Sequence, residues 1–356
     1  MATKPTIEIN FKQLATTAIE RSERGTAILL LNDNTEAEGD VTVKVYKTVA
    51  DIEEKLYTPE NIKHIKACMS YAPYEVVVIS KESTTLADFA KEILKIRNTG
   101  WIAFAGEESV QADLASWIKS QENMGRTYKA IGTVAKQDCK HYVYFNQVVI
   151  DTEGNGVQAV DYLSSLLGII ASCNINKSCT NYLCADIDRA DEVSDIDAAV
   201  KAGQLVLTND IGGVKIVTGC NSLTTLNGNT DTEDMQYIET VEAMDLIRDD
   251  IKSVFKETYQ GKFKNKYKYQ MLFVGAVRQY YSQLAGEDIL DDEYDNTAEI
   301  DINAQRSAWL GSGKSEAEEW DDDTVKRMAF KRSVFLSNNI KILNCMENLK
   351  FTVELV

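Results

Sequence analysis

The sequence predicts a central α/β domain on a largely parallel sheet, then a smaller C-terminal α+β domain, with an extended β-strand arm at each end. Short apolar runs alternate with helical runs from Gly25 to Val217, an order typical of an α/β sandwich. From Thr232 long helical patterns take over, and both ends of the chain show strict apolar–polar alternation. The predicted segments are therefore residues 1–24, 25–231, 232–335 and 336–356.

The composition is that of a large, acidic globular protein. With 356 residues, 44% of them hydrophobic, the chain can bury two or three cores. Its formal net charge of -17 repels nucleic acid, so we expect no nucleic-acid partner, and it keeps free subunits apart. We expect synthesis in the cytosol and no membrane insertion, because the N-terminus lacks a secretion-signal pattern and no apolar run reaches the roughly 20 residues that span a bilayer.

Seven cysteines make an odd count, and we expect them to be reduced. Cys173, Cys179 and Cys184 cluster, but their spacing is not a zinc pattern and no histidine lies near them. The sequence therefore predicts small buried core thiols and no metal site.

The N-terminal arm reads as a strand with one apolar face. Ile7, Ile9 and Phe11 alternate with polar residues, which places the three side chains on the same side. A polar connector, residues 13–23, follows. A strand isolated at a terminus cannot satisfy its own backbone groups, so it needs a sheet edge, its own or a neighbour's.

The central domain is predicted to alternate strands and helices. The expected strands are residues 27–31, 41–46, 75–79, 101–105, 129–133 and 142–150, with two late strands at 204–209 and 214–217. The expected helices are residues 49–56, 61–69, 85–96, 108–124 and 157–173.

The second region opens with long helical patterns and closes with a strand. Residues 235–255 and 267–284 have apolar side chains at helical spacing, and the acidic stretches 287–301 and 316–323 are expected to be solvent-facing loops or short elements. At the C-terminus, polar residues alternate with Leu349, Phe351, Val353 and Leu355. The chain thus ends as it begins, in a predicted one-faced strand.

Two glycine-rich motifs resemble nucleotide-binding loops in the wrong context. Residues 308–315 fit a relaxed P-loop, but a polar stretch precedes them and acidic residues follow, so we predict a flexible loop. The turn from Gly154 to Ala159 fits a relaxed dinucleotide fingerprint better, because it follows a strand and precedes a helix. Asp151 and Glu153 sit where a pyrophosphate would approach, which favours a simple tight turn. An α/β enzyme that binds a nucleotide cofactor there is the alternative function.

Other possible catalytic or metal-binding patterns are incomplete. Asp186, Asp188 and Asp191 suggest a calcium loop, but its glycine and later glutamate are missing, so we predict a solvated loop. A Ser-His-Asp triad would need His64 or His141, and neither lies in a nucleophile motif. We expect ordinary surface or boundary histidines and no catalytic residue.

Several segments between Gly154 and Val356 carry a family resemblance. A strand ends in the turn Gly-Cys-Asn-Ser-Leu at 219–223, a helix at 247–255 precedes Gly-Lys-Phe-Lys-Asn at 261–265, and Met-Glu-Asn-Leu-Lys-Phe-Thr-Val at 346–353 closes the chain. In their order and spacing these segments resemble the sheath proteins of contractile phage tails and R-type tail-like bacteriocins, in particular the short, diffocin-like sheaths. The match weakens over residues 25–150.

The resemblance implies a structural protein, with no cofactor. In this family the central α/β domain is likened to subtilisin without its triad. Subunits form stacked six-fold rings around an inner tube, exchange terminal strands with neighbours and contract to drive the tube through a target cell envelope. The implied partners are further copies of the chain, the inner tube protein, and baseplate and tail-terminator proteins. The particle would assemble in the bacterial host cytoplasm and be released on lysis.

Two basic clusters stand out in this acidic chain. They comprise Lys262, Lys264, Lys266 and Lys268, and Lys326, Arg327, Lys331 and Arg332. Solvated charge is one explanation. The other is a weak, salt-sensitive contact with the tube or with the acidic residues 287–301 of a neighbouring subunit.

Overall fold

The computed structural model describes residues 19, 21–35, 40–173 and 175–354, which form two compact units. Of the described residues, those within 22–249 and 342–354 form the sheet unit, and residues 19, 21 and 250–341 form the helical unit. The domain boundaries expected from the sequence stay a prediction.

The core of the sheet unit is a six-stranded sheet. Its strands are Thr26–Asn32 (β1), Thr42–Tyr46 (β2), Glu75–Lys81 (β3), Thr99–Phe104 (β4), Thr127–Gly132 (β5) and Tyr142–Tyr144 (β6). They lie in the order β2-β3-β1-β4-β5-β6. Only the β2–β3 pair is antiparallel, so the sheet is largely parallel, as predicted.

Helices cover both faces of this sheet. They are Pro59–Met69 (α1), Leu86–Ile96 (α2), Gln111–Asn123 (α3) and Ala159–Ser172 (α4). Leu29 and Leu31 of β1 pack with α1 and α4 on one face, and Ile28 and Leu30 pack with α2 and α3 on the other. Since side chains alternate along a strand, the uninterrupted apolar run of β1 supplies both cores.

The first and fourth helices approach each other closely. α1 begins at Pro59, and the hydroxyl of Thr58 before it accepts from the backbone N–H of Asn61, which caps the helix. In α4 the close approach occurs at Gly168, where a Cβ atom would lie 2.1 Å from the carbonyl oxygen of Cys68. Only glycine permits this helix packing without a backbone shift.

Smaller sheets and helices complete the sheet unit. Val149–Asp151 (β7), Gly156–Val157 (β8) and Ile187–Ala190 (β9) form a three-stranded sheet in the order β8-β7-β9, and Leu207–Asp210 (β10) pairs with Gly213–Ile216 (β11) as an antiparallel hairpin. The helix Ile196–Lys201 (α5) precedes this hairpin, and Ile238–Val254 (α6) follows it.

Two expected elements are wrong. Residues 142–150 do not form one strand, because β6 and β7 belong to different sheets. Gln147 lies between them and pairs its amide with the backbone N–H and carbonyl of Leu207, which ends the ladder. Residues 49–56 form two 3₁₀ turns, Val49–Asp51 and Glu54–Leu56, instead of a helix, since neither turn has a buried residue to hold a longer helix in place.

Besides the last residues of α6, the helical unit contains three α-helices and one small sheet within its described residues. The elements are Tyr267–Gly286 (α7), Thr297–Ile300 (β12), Ile302–Gly311 (α8), Asp322–Arg327 (α9) and Leu336–Asn339 (β13). A π-helical turn, Phe255–Tyr259, precedes α7. β12 and β13 pair antiparallel as a two-stranded sheet.

Two loop predictions for this unit need correction. The acidic stretch 287–301 is not only solvent-facing, because Ile289, Leu290, Ala298 and Ile300 are buried. The P-loop-like residues 308–315 are not a flexible loop from their start, because α8 continues to Gly311. No helix in the described part of the chain is long and apolar enough to cross a membrane.

Candidate assembly surfaces

The C-terminal segment, residues 342–354, is tied to the sheet unit through its first half. The backbone N–H of Cys345 donates to Glu239 Oε1 at 3.0 Å. Two residues later, Glu347 Oε1 accepts from the hydroxyl of Ser178 at 2.8 Å. These bonds fix where the segment leaves the folded body.

Beyond Glu347 the segment presents apolar side chains to water. Leu349, Phe351 and Val353 are 90%, 80% and 63% exposed, and the stretch forms no strand with the described residues of its own chain. An extended segment with large apolar groups at alternate positions is suited to strand addition on another sheet. That use stays a prediction. The other predicted arm residues lie outside the described residues: Ile7, Ile9, Phe11 and Leu355.

One edge of the six-stranded sheet is closed and the other is open. At β6 the carbonyl of Tyr144 accepts from the N–H of Leu205, and that of Tyr142 accepts from the N–H of Ser222, both at 2.8 Å. At the opposite edge β2 pairs only with β3 among the described strands.

The small sheet of the helical unit offers a second open edge, at β13. Asp301 N–H donates to the carbonyl of Phe335, so these two residues form a hydrogen-bonded pair. Hydrogen-bonded pairs alternate with non-hydrogen-bonded pairs along an antiparallel ladder. The backbone groups of Leu336 and Asn338 therefore face away from β12. The outer edge of β12 is instead partly capped, because Arg278 Nε donates to the carbonyl of Ala298 at 2.8 Å. A two-stranded sheet is marginal by itself, so β13 is the edge that gains most from an added strand.

Five of the eight predicted cations line two cavities of the helical unit that share Asn265, whereas Lys262, Lys326 and Lys331 line neither. Lys264 and Arg332 line one cavity, and Lys266, Lys268 and Arg327 line the other. The eight cations take part in none of the ion pairs among the described residues of this unit. Their role in binding a neighbour or the tube stays a prediction.

Asn265, which the sequence did not single out, connects the two clusters. Its Nδ2 donates to the backbone carbonyls of Phe330, Lys331 and Ser333 at 3.2, 3.4 and 2.9 Å. Its Oδ1 accepts from Gln270 Nε2 at 2.8 Å. The last position of the Gly-Lys-Phe-Lys-Asn loop is the sequence signal that could have found it.

A buried charge network in the sheet unit was also missed, and it corrects the expectation that His141 is a surface or boundary histidine. Lys129 Nζ lies 3.2 Å from both Glu242 Oε1 and Asp245 Oδ2, and His141 Nε2 lies 3.0 Å from the same Asp245 oxygen. His141 is fully buried. On its other side, Nδ1 lies 3.4 Å from Glu122 Oε2, an ion-pair distance without good hydrogen-bond geometry.

The network shifts the pKa values of its members. Burial alone lowers the pKa of His141, but Asp245 and Glu122 outweigh burial and raise it. Burial raises the pKa of Glu122, but His141 and Lys140 overcome that effect and lower it to about 2. The imidazolium and its carboxylates therefore hold each other in the charged form.

The pKa of His64 shifts in the opposite direction, and the neighbouring hydroxyl of Ser164 is not arranged as a nucleophile. Its Nδ1 is 3.1 Å from Ser164 Oγ, whose own hydroxyl donates to the carbonyl of Asp161 at 3.1 Å. Burial lowers the pKa of His64. Since the serine proton is already committed to a helix carbonyl, the pair is a packing contact between α1 and α4.

The predicted solvated loop around Asp186 is wrong. Its carboxylate accepts from the hydroxyls of Tyr71, Tyr162 and Ser165, and residues 187–190 form β9. A single carboxylate thus accepts from three hydroxyls, two from α4 and one from the turn after α1.

The turn that resembled a dinucleotide fingerprint is closed by its own aspartate. Asp151 Oδ1 accepts from the backbone N–H groups of Glu153 and Asn155 at 2.9 and 2.7 Å. The turn joins β7 to β8 as a hairpin. Amide groups that would have to cradle a pyrophosphate are therefore occupied by a carboxylate.

Six of the seven cysteines lie in the core, as the sequence predicts. All seven are free, and six are buried, while Cys345 is partly exposed. Among the described residues no group of three His, Cys, Asp or Glu side chains could hold a metal ion.

Comparison with known proteins points to one family. Residues 230–356 match the family described as phage tail sheath C-terminal domain. The whole chain aligns with a tail sheath protein of Clostridium phage phiCD119, 28% identical over 373 aligned positions and covering 100% of both proteins. The resemblance to contractile tail sheath proteins is confirmed. The match extends over the central domain, where the sequence resemblance was weaker.

Solved sheath structures share the mixed α/β sheath fold. The contracted helical sheath of the anti-feeding prophage aligns with a TM-score of 0.68 at 12% identity, covering 99% of both chains. The PVC sheath of an extracellular contractile injection system, also contracted, gives 0.67 at 12% identity and covers 99% of this chain and 98% of its own. A sheath tail protein of Listeria innocua gives 0.65 at 12% identity, with 90% and 96% coverage. The subtilisin-like description of the central domain stays a prediction.

Proposed function

We propose that this chain is the structural subunit of a contractile tail sheath, which polymerises as stacked six-fold rings around an inner tube. The observation that carries the proposal is the C-terminal tail, whose Leu349, Phe351 and Val353 are exposed and form no strand with the described residues of the chain. A second chain with an open sheet edge is the partner that this tail fits. The family match and the two contracted sheath structures support the same assignment.

In the proposed assembly the C-terminal tail of one subunit adds to the open edge of another. β13 is the favoured acceptor, because its outward backbone groups have no partner among the described residues and its two-stranded sheet is small. The N-terminal arm, with Ile7, Ile9 and Phe11, would add in the same way. Each subunit then holds several neighbours through backbone hydrogen bonds that survive when the bodies rotate.

A single arm contact is close to balanced in free energy. About five hydrogen bonds contribute about 1 kcal/mol each, and three buried apolar side chains about 1.5–3 kcal/mol each. Ordering seven or eight residues costs about 1–2 kcal/mol apiece. The net is small, so free subunits stay separate until a template such as a baseplate with its tube brings many contacts together.

Contraction is proposed to release free energy stored during assembly. A polymer held in a metastable extended state needs only a trigger, since better body-to-body contacts in the contracted state supply the work that drives the tube through the target cell envelope. The connector of residues 13–23, polar in sequence, would let the bodies turn while the strands stay paired. Contraction of purified particles without nucleotide is the expected behaviour.

The tail assignment is tested by substituting one face of the segment at a time. Changing Leu349, Phe351 and Val353 together to Ser should abolish long cylinders in electron micrographs, because the apolar face is lost. Changing Lys350, Thr352 and Glu354 to Ser is the matched control and should leave assembly intact. Cylinders of normal length from the first variant would contradict strand exchange by this tail.

A further inference from the structure

A loop of the sheet unit, residues 227–231, begins with an exposed Asn-Gly pair, the dipeptide that deamidates most readily. In that reaction the glycine nitrogen bonds to Cγ of the asparagine, and the bond from Cγ to Nδ2 breaks. The amide nitrogen leaves as ammonia and takes the proton of the glycine nitrogen with it. Water then opens the succinimide ring to aspartate or isoaspartate.

The side-chain carbonyl of Asn227 is held by three backbone N–H groups. Its Oδ1 accepts from Asn229 and Thr230 at 2.9 Å each, and from Asp231 at 3.1 Å. Negative charge develops on this oxygen when a nucleophile attacks Cγ, and N–H donors at about 2.7–3.1 Å stabilise such an oxyanion. The loop therefore holds in place the donors that the transition state of ring closure needs.

The contacts of the amide nitrogen fix which side-chain atom of Asn227 is the oxygen. Nδ2 donates to Thr230 Oγ1 at 2.8 Å and to Asp231 Oδ2 at 2.9 Å. A carboxylate accepts and backbone N–H groups donate, so the reverse orientation of the amide would leave both sides without partners. The reacting carbonyl and the leaving nitrogen are therefore assigned by the groups around them.

The attacking nitrogen belongs to Gly228, which lies in open surroundings. Its φ is +72°, and apart from its chain neighbours no described atom lies within 4 Å of the position that a Cβ would take. Its N–H donates to the carbonyl of Asp231 at 3.2 Å, an acceptor that Asn227 N–H also uses at 3.0 Å. The bond between Asn227 Oδ1 and Asn229 N–H closes a ring of atoms that contains both Cγ and the Gly228 nitrogen. Since no side chain restricts the glycine backbone, it can turn to bring these two atoms together.

The chain has a second Asn-Gly pair, Asn155 and Gly156, in a different setting. Asn155 Nδ2 donates to Asp151 Oδ2 at 3.0 Å, but no described N–H group donates to its Oδ1. Gly156 lies in β8, where pairing with Ile150 holds its backbone extended. This pair has the same reacting atoms without the three donors, so it is an internal reference for Asn227.

We propose that the folded loop accelerates its own deamidation, so that Asn227 converts to aspartate and isoaspartate faster in the native protein than in the unfolded chain. The three N–H groups stabilise the oxyanion, and Gly228 supplies the nucleophile. The reaction needs only the folded chain and water, so it does not depend on the proposed sheath function.

The product cannot keep the contacts of the amide. An aspartate at position 227 places a second oxygen where Nδ2 lay, 2.9 Å from Asp231 Oδ2, so two carboxylates repel each other. Isoaspartate also adds a carbon atom to the backbone, so the three donors no longer meet one oxygen. Asp231 in turn pairs with Lys140 at 3.5 Å. Each conversion therefore adds one negative charge to the subunit and loosens this loop.

The proposal is tested by comparing the two Asn-Gly pairs in native and in urea-unfolded full-length protein at the same mildly alkaline pH. Incubation in water enriched in oxygen-18 marks the conversions that precede digestion, and mass spectrometry of the peptides gives the rate at each site. Folding should raise the rate at Asn227 severalfold and should not raise the rate at Asn155. A rate at Asn227 that is equal or lower in the native protein would overturn the proposal.

Two variants at position 229 test the role of the donors. Asn229→Pro removes one of the three N–H groups, whereas Asn229→Ala keeps all of them. In the native protein the proline variant should deamidate at Asn227 severalfold more slowly than the alanine variant. Thermal unfolding of both variants shows that the sheet unit is intact in each. Equal rates in the two variants would overturn stabilisation of the oxyanion by this loop.

Discussion

The two histidines of the chain are buried or half-buried in environments that shift their pKa values in opposite directions. His141 lies between Asp245 and Glu122, which raise its pKa in spite of burial, whereas burial lowers the pKa of His64. Spacing along the sequence could not reveal this, since His141 and Asp245 are 104 positions apart. Apolar periodicity identifies core positions but does not show which charged residues meet inside them.

The two histidines therefore predict opposite pH dependences. A raised folded-state pKa gives stability that is complete below the unfolded pKa of about 6.5 and is lost as pH rises through the folded pKa. His141→Gln should lower the free energy of unfolding by about 3–5 kcal/mol at pH 6, because a buried charge partner is lost. The difference in the free energy of unfolding between wild type and variant should shrink above the folded-state pKa of His141. Urea denaturation at a series of pH values measures this difference.

His64→Gln is the control for that experiment. Its lowered folded-state pKa means that the wild type loses stability as pH falls below about 6.5, and the variant should lose this dependence. In NMR titrations the two ring signals should titrate on opposite sides of the ordinary histidine value. Two signals that titrate together near 6.5 would show that the charge network is not formed.

Among the helices, two glycines show that local packing decides whether a Gly→Ala substitution stabilises or destabilises the protein. Gly168 in α4 has no room for a Cβ atom, whereas Gly275 in α7 has nothing within 4 Å of that position. Gly168→Ala should destabilise the chain by about 1–3 kcal/mol or more, because the helices must separate. Gly275→Ala should stabilise it by about 0.5–1 kcal/mol through helix propensity. Thermal unfolding gives the melting temperature of each variant. Equal shifts of the two melting temperatures from that of the wild type would contradict the close approach of α1 and α4.

At this scale the sequence predicted most central strands and helices, because apolar runs and helical spacing report burial directly. The strand prediction was wrong where a side chain, in place of a neighbouring strand, formed hydrogen bonds with the backbone. Gln147 ends the strand that the apolar run of residues 142–150 predicted, by pairing with Leu207, a residue 60 positions away. Strand order and the open edge at β13 likewise depend on distant pairings that no local pattern encodes.

The whole molecule is acidic, and the proposed arm contacts are nearly balanced in free energy. With a net charge of -17 the subunits repel one another, so we expect the purified chain to stay monomeric at micromolar concentration. Light scattering should show a lag before polymer growth, and preformed polymer ends should abolish it. Growth without a lag at every concentration would show that no template is needed.

The candidate assembly surfaces were predictable only in part at this scale. Alternation marked the C-terminal tail, and charge marked the basic clusters, because both patterns are local. The cavity lined by Lys264 and Arg332 was not predictable, since residues from the π-helical turn, the following loop, α7 and the stretch before β13 form it together. The hydrogen bonds of Asn265 bring these parts to one place.

The partly exposed thiol of Cys345 makes the tail observable in solution. Its backbone is bound to Glu239 just before the tail leaves the body, and burial raises its pKa, as does Glu239. Alkylating reagents need the thiolate, so they should modify this position slowly while the segment is docked. A change in that reaction rate as particles form or shorten would time the movement of the tail, with the six buried cysteines as an unreactive background.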